Sequence, residues 1–187
     1  MRDRQVGPLE RIRADHVKRY LFAMLGMTKD ETVLDLACGC GYGSFLMHGI
    51  GAKVTGIDIE PEAIAYCNKH YQGPEYICRR AEDTTGSWDK LVSFETLEHL
   101  ENPLEVLKAI DVGIIIASVP NENAVHFNPD KFRNDKYPHR RHYTPEAFES
   151  LLTSAGFEIV DRHCQHDRAG EVFTGTNGMF LIYTGKR

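Results

Sequence analysis

A chain of 187 residues, 42% hydrophobic and 26% charged, has the balance of one globular domain, and at this length folding buries roughly 70% of the unfolded surface. Its formal net charge of −5 excludes a global attraction for nucleic acid, although a local basic groove is compatible with it. No 18-residue apolar run and no secretory leader follows MRDRQVG, and the five cysteines lack zinc-ribbon spacing. The expectation is a single domain over 1–187, cytoplasmic, with free thiols and no membrane partner.

The first helical pattern covers residues 8 to 26, where Leu9, Ile12, Ala14, Val17, Tyr20, Leu21 and Leu25 recur near helical spacing and Gly26 follows the last turn. A short apolar strand is predicted over 31–37 and a helix over 44–50, behind the loop CGCGYG. A second strand over 53–59, a helix over 60–71 with Pro61 in its first turn, and a third strand over 75–81 follow. This β-α-β-α-β order predicts a parallel sheet with helices on both faces. Strands over 89–94 and 112–119 flank a short helix over 100–110, and Ile114, Ile115 and Ile116 suit a strand covered on both sides. A polar stretch over 120–143 precedes a helix over 144–156, with Thr144 as N-cap, Pro145 at N1 and Gly156 at its close. FEIVDRHCQ and GMFLIYTGK have no helix between them and are expected to pair antiparallel.

VLDLACGCGYGS joins a strand, a carboxylate near its end and three glycines ahead of a helix. Glycines let a ligand approach the backbone, and a helix N-terminus offers free N–H groups. A second strand ends at Asp58, about 20 residues on, where a carboxylate can accept both hydroxyls of an adenosine ribose. Asp35 discriminates among adenosine ligands: it would repel a pyrophosphate and favour a sulfonium-bearing amino acid.

At these residues the chain resembles the class I S-adenosylmethionine-dependent methyltransferases. VTGIDIEPEAIAYC, WDKLVSFETLEHLENP and YTPEAFESLLTSAGFEIVD extend the likeness over nearly the whole chain. The resemblance implies an α/β, Rossmann-like sheet of seven strands in the order 3-2-1-4-5-7-6, the seventh antiparallel. It also implies that Asp35, Gly39 and Gly41 surround the methionine part of S-adenosylmethionine, that Asp58 holds the ribose and Ile59 packs on adenine, and that Phe94 borders the donor. Arg80 stands where many members carry an acidic residue, and an Arg cannot accept the adenine amino proton, which moves that contact toward Glu82, Asp83 or backbone.

FETLEHL places Glu95, Glu98 and His99 at i, i+3 and i+4, which in a helix share one face. The array resembles that of ubiquinone-biosynthesis O-methyltransferases and of small-RNA 3′-terminal 2′-O-methyltransferases. That likeness implies Mg²⁺, Mn²⁺ or Zn²⁺ on Glu95, Glu98, His99 and His139 or His142. The metal-free alternative leaves Glu95 and His99 as the catalytic pair, Glu95 lining the donor pocket and His99 acting as base or as a hydrogen bonder that fixes the helix. KFRNDKYPHRRH is the one basic concentration, and within it Arg133, Lys136, Arg140 and Arg141 suit an acidic substrate group under a lid-like loop over 120–143.

The expected activity is methyl transfer to oxygen on a small or medium acidic metabolite. An RNA 3′ end is the alternative acceptor. DNA is not expected, since neither an NPPY-type tetrapeptide nor a Pro-Cys dipeptide occurs. A nicotinamide oxidoreductase and a non-catalytic adenosine-ligand-binding module are the rival classes; the first is disfavoured by Asp35 and by GYGS in place of a full GxGxxG. Oligomeric state is left open.

Overall fold

In the computed structural model, which describes residues 9–125, 127–132, 138–166 and 170–187, the strand β1 (Thr32–Leu36) lies between β2 (Lys53–Asp58) and β4 (Gly86–Phe94), parallel to both. β3 (Glu75–Cys78) extends the sheet beyond β2, and β5 (Ile110–Pro120) extends it beyond β4, again in parallel. The chain then reverses: β8 (Phe180–Lys186) runs antiparallel to both β5 and β6 (Glu158–Gln165). A two-residue strand, β7 (Phe173–Thr174), closes the edge against β6. The order β3-β2-β1-β4-β5-β8-β6-β7 therefore contains eight strands, not seven. The expected order holds once the closing strand is renumbered β8. The extra strand falls between FEIVDRHCQ and GMFLIYTGK, where none was expected, and is too short to show a period of two.

Among the described residues, five α-helices cover the sheet: α1 (Ala14–Met24), α2 (Tyr42–Gly49), α3 (Pro61–His70), α4 (Pro103–Ala109) and α5 (Pro145–Ser154). The leading helix starts later than its apolar spacing suggests. Leu9–Arg11 form a separate 3-10 turn, and Arg13, at φ −56° and ψ 137°, is non-helical. Thr144 caps α5 as expected, its Oγ1 accepting from the Ala147 N–H at 3.2 Å. The other ends of α4 and α5 share one partner: the Arg187 guanidinium donates to Leu107 O, Ile110 O and Ala155 O, satisfying carbonyls that the helices leave open.

Two apolar layers sandwich the sheet. On one face Leu34, Leu36, Ile57, Leu91 and Ile115 pack with Leu107 of α4 and with Phe148 and Leu152 of α5. On the other, Val33, Val54, Val92 and Ile116 pack with Tyr20 of α1 and with Tyr42 and Met47 of α2. Alternation along β1 puts Asp35 on the second face, beside Val33. A register slip by one residue would drive that carboxylate into the first layer, where it would lack hydrogen bonds at a cost of several kcal/mol. The fold thus fixes which side of β1 carries charge. It also brings the C-terminal ends of β1, β2, β4 and β5 to one rim, the place where open parallel sheets bind ligands.

Candidate active site

At this rim β1 ends in Asp35 and Leu36, and Ala37 follows at φ +61°, a conformation uncommon for a residue with a Cβ. Gly39 and Gly41 continue the turn at φ +59° and +83°. A Cβ on Gly41 would stand 2.6 Å from Cys67 Sγ, whereas one on Gly39 would meet nothing within 4 Å and would project into open space. Gly41 is thus required by close packing, whereas Gly39 is favoured by its positive φ and leaves the space beside its Cα open. Asp58 shapes the loop from β2. Its Oδ2 accepts from the Gly39 N–H at 2.9 Å and its Oδ1 from the Glu60 N–H at 2.9 Å. Ile59, next in the chain, is 39% exposed, an apolar side chain open at the lip of the cleft.

Asp35 is fully buried and holds two hydrogen bonds: Tyr20 Oη donates to Oδ1 at 3.0 Å and Ser44 Oγ to Oδ2 at 2.6 Å. Burial raises its pKa to about 6, against the opposing effect of these two donors. Glu82 lies in the 3-10 turn Ala81–Asp83 after β3, with Arg80 Nη2 3.5 Å from its carboxylate. Phe94, at the end of β4, meets the Tyr20 ring edge-on at 5.0 Å between centroids.

Beyond the end of β4, FETLEHL is not helical, so Glu95, Glu98 and His99 do not share the one face that a helix would give them. Residues 95–100 make a turn, and Glu95 sits at φ +51°. Its N–H donates to Ser118 O, and its Oε1 takes Ser118 Oγ at 2.8 Å and Arg19 Nη1 at 2.9 Å. Arg19, 1% exposed, also reaches Asp15 Oδ2 at 3.1 Å and stacks 4.5 Å from the Phe180 ring centroid. The turn sends Glu98 and His99 a different way. Their ligand atoms and one of His139 all lie within 4.8 Å of one another. Glu98 is 1% exposed, and neither carboxylate oxygen has a hydrogen-bond partner. Burial pushes its pKa well up, and neighbouring Glu95 pushes the same way. His139 is held neutral, its pKa lowered to about 3 by burial and by His99 and His142. His142 stands 5.5 Å from His139 between ring centroids.

The structure therefore brings Glu98, His99 and His139 together and sets Glu95 apart, on Arg19. The backbone N–H groups of Arg140 and Arg141 both donate to Glu98 O, at 2.9 and 3.4 Å, so the segment carrying His139 is pinned to the turn. Arg141 Nη2 donates to Glu101 O, and Arg140 is exposed. Arg133 and Lys136 lie outside the described residues. Tyr20, Arg19, Ser44 and Ser118 were not among the residues singled out from the sequence. Position 20 showed only as an apolar point in a helical pattern, and nothing local links residue 19 to residue 95.

A family model described as a methyltransferase domain matches residues 9–162. A probable S-adenosylmethionine-dependent methyltransferase of Mycolicibacterium smegmatis is 28% identical over 139 residues, 69% of this chain and 52% of that protein. The ubiquinone biosynthesis O-methyltransferase of Xanthomonas campestris is 35% identical over 85 residues, 41% of this chain and 36% of that protein. The chain thus spans about half or less of the length of these relatives. In fold it is similar to a crystal structure of a S-adenosylmethionine-dependent methyltransferase from Archaeoglobus fulgidus, with a TM-score of 0.71 at 18% identity, covering 95% of this chain and 96% of that one. The Gly-rich loop, the carboxylates that flank it and the family match agree: the chain belongs to the class I S-adenosylmethionine-dependent methyltransferases.

Proposed function

We propose that the chain transfers the methyl group of S-adenosylmethionine to an oxygen of a small or medium acidic acceptor, aided by a divalent cation. The observation that carries the reading is Glu98, a buried carboxylate without a hydrogen-bond partner beside two imidazoles. An orphaned buried carboxylate costs stability, and a cation would offset that cost. One carboxylate oxygen and two imidazole nitrogens suit Zn²⁺ or Mn²⁺ and, with added water ligands, Mg²⁺. Such an ion would polarise the acceptor hydroxyl and lower its pKa.

The rest falls to the chain's own residues. Asp35 and the Gly39 backbone would receive the donor's methionine end, Asp58 its ribose, Ile59 and the turn at Glu82 its adenine. In the displacement the sulfonium C–S bond breaks as the oxygen–carbon bond forms, S-adenosylhomocysteine departs with the bonding pair on its sulfur, and the acceptor's proton passes to solvent. The protein's task is to align oxygen, methyl carbon and sulfur. Arg140, exposed on the segment pinned to Glu98, offers a cation for an acidic group of the acceptor.

Without a cation, His99 is the base this cluster would supply, since His139 is held neutral down to about pH 3. Metal analysis and activity assays separate the two. Zinc or manganese should bind the chelator-treated protein, Glu98→Gln and His139→Ala should each abolish that binding, and chelation should stop label transfer from methyl-labelled donor to hydroxylated aromatic carboxylates. Transfer that persists after chelation, in a protein that takes up no metal, would leave His99 as base. Transfer to amine analogues alone would overturn the oxygen-directed reading.

A further inference from the structure

We propose that Tyr20, on α1, is a donor-positioning residue that acts through Asp35: its hydroxyl keeps that buried carboxylate charged toward the ammonium group of the bound donor. The inference rests on the assignment of Asp35 to the donor's amino-acid end.

Tyr20 is built into the cleft from two sides. Its ring lies directly over Gly43, where a Cβ would come within 2.1 Å of the ring carbons, so only glycine admits it. Its edge contacts with Tyr42 and Phe94, at 5.5 and 5.0 Å between centroids, place it between the Gly-rich loop and the end of β4. Its hydroxyl reaches Asp35 Oδ1 at 3.0 Å, and the residue is 5% exposed. The next residue back, Arg19, anchors the same helix to Glu95 and Ser118. One helical turn thereby touches the ends of β1, β4 and β5.

Among the described residues, the groups that act most on Asp35 are Ser44, Tyr20 and Asp58, none of them a cation. Asp58 faces it from β2, Cys38 from the loop after β1, Tyr42 and Ser44 from α2, Tyr76 from β3 and Tyr20 from α1, while β4 presents apolar Val92 at the paired position. Arg19 is committed to Asp15 and Glu95. The charge on Asp35 therefore depends on two neutral donors, Tyr20 and Ser44. Hydrogen bonds to the charged form lower a carboxyl pKa, and burial works against them. Removing either hydroxyl moves the midpoint upward, into the neutral range.

The test is calorimetric titration of S-adenosylhomocysteine into the wild type and Tyr20→Phe at several pH values between 5.5 and 8.5. The ratio of the two affinities cancels the ligand's own ionisation. It should exceed about fivefold near pH 6.5 and shrink toward unity by pH 8.5, where Asp35 is ionised in both proteins. A structural role alone would give a ratio that does not change with pH, which would overturn the inference. Site-specific 3,5-difluorotyrosine at position 20, a stronger donor of the same shape, should move the ratio in the opposite direction. It keeps the question decidable if Tyr20→Phe fails to fold, because a null effect there is equally fatal. A wild type that does not bind S-adenosylhomocysteine would instead overturn the assignment of the cleft, and the inference with it.

Discussion

At the scale of single residues, Asp35 carries a charge that burial disfavours. Asp35 has a folded pKa of about 6 against an ordinary value of 3.8, because burial disfavours its charge more than Tyr20 and Ser44 restore it. For an acid raised in this way the folded state binds the extra proton. Its favourable contribution is complete below about pH 3.8 and is lost as pH rises through about 6. Asp35→Asn should therefore stabilise the ligand-free protein at neutral pH by on the order of 2 kcal/mol, with the gain developing between pH 4 and 6. The asparagine keeps an acceptor for Tyr20, and the Ser44 hydroxyl can rotate to accept from its amide. Urea denaturation of both proteins at pH 4 and pH 7.5 measures the gain. An equal difference at the two pH values would mean that the charge is not its source. The same variant should bind S-adenosylhomocysteine at least tenfold more weakly at pH 7.5.

At the scale of elements, α1 is tied down by charge as much as by apolar contact. Arg19 is buried between Asp15 and Glu95, and Asp15 has a second partner in Arg13, whereas Glu95 has Arg19 and the Ser118 hydroxyl. Removing the guanidinium leaves Glu95 in a low-dielectric site with one neutral donor. Arg19→Met should accordingly destabilise the protein by about 3–5 kcal/mol, and adding Glu95→Gln should recover at least about 1 kcal/mol of that loss. Chemical denaturation of the two single variants and the double variant gives the coupling directly. Strict additivity would mean that the ion pair does not hold the helix. This long-range pairing also explains why Glu95 parts from Glu98 and His99: the shared face that i, i+3, i+4 spacing gives holds only in a helix, whereas Glu95 adopts a positive φ with its backbone and side chain bonded to Ser118, and residue 118 is invisible to any local pattern. The parts that were legible are local ones: the Thr144 cap, the apolar triplet of β5, and glycines between two strands that each end near an aspartate. β7 was not legible, since two residues carry no periodicity. His139 was named from sequence, yet its place beside Glu98 depends on the two backbone bonds from Arg140 and Arg141 that fold its segment onto the turn.

At the scale of the whole molecule, the rim of strand ends is tied together by Asp58, which ends β2 and whose carboxylate accepts one N–H from the Gly-rich loop and one from the start of α3. S-adenosylhomocysteine, binding the folded state alone, should add about 2.7 kcal/mol at one hundred times its dissociation constant. For a chain of this length that corresponds to a rise in Tm of roughly 5–10 °C. Asp58→Asn keeps the shape but turns one acceptor into a donor that faces a backbone N–H, at Gly39 or at Glu60. The ligand-free Tm should fall, since a charged hydrogen bond of about 1.5–3 kcal/mol is lost and replaced by opposed donors. The ligand-induced rise should shrink further, because the Gly39 turn and the ribose contact weaken together. Thermal melts of wild type and variant, with and without ligand, give all four values. A variant that melts lower yet keeps the full ligand-induced rise would show that Asp58 serves the fold and not the donor, and would move the ribose contact elsewhere on the rim.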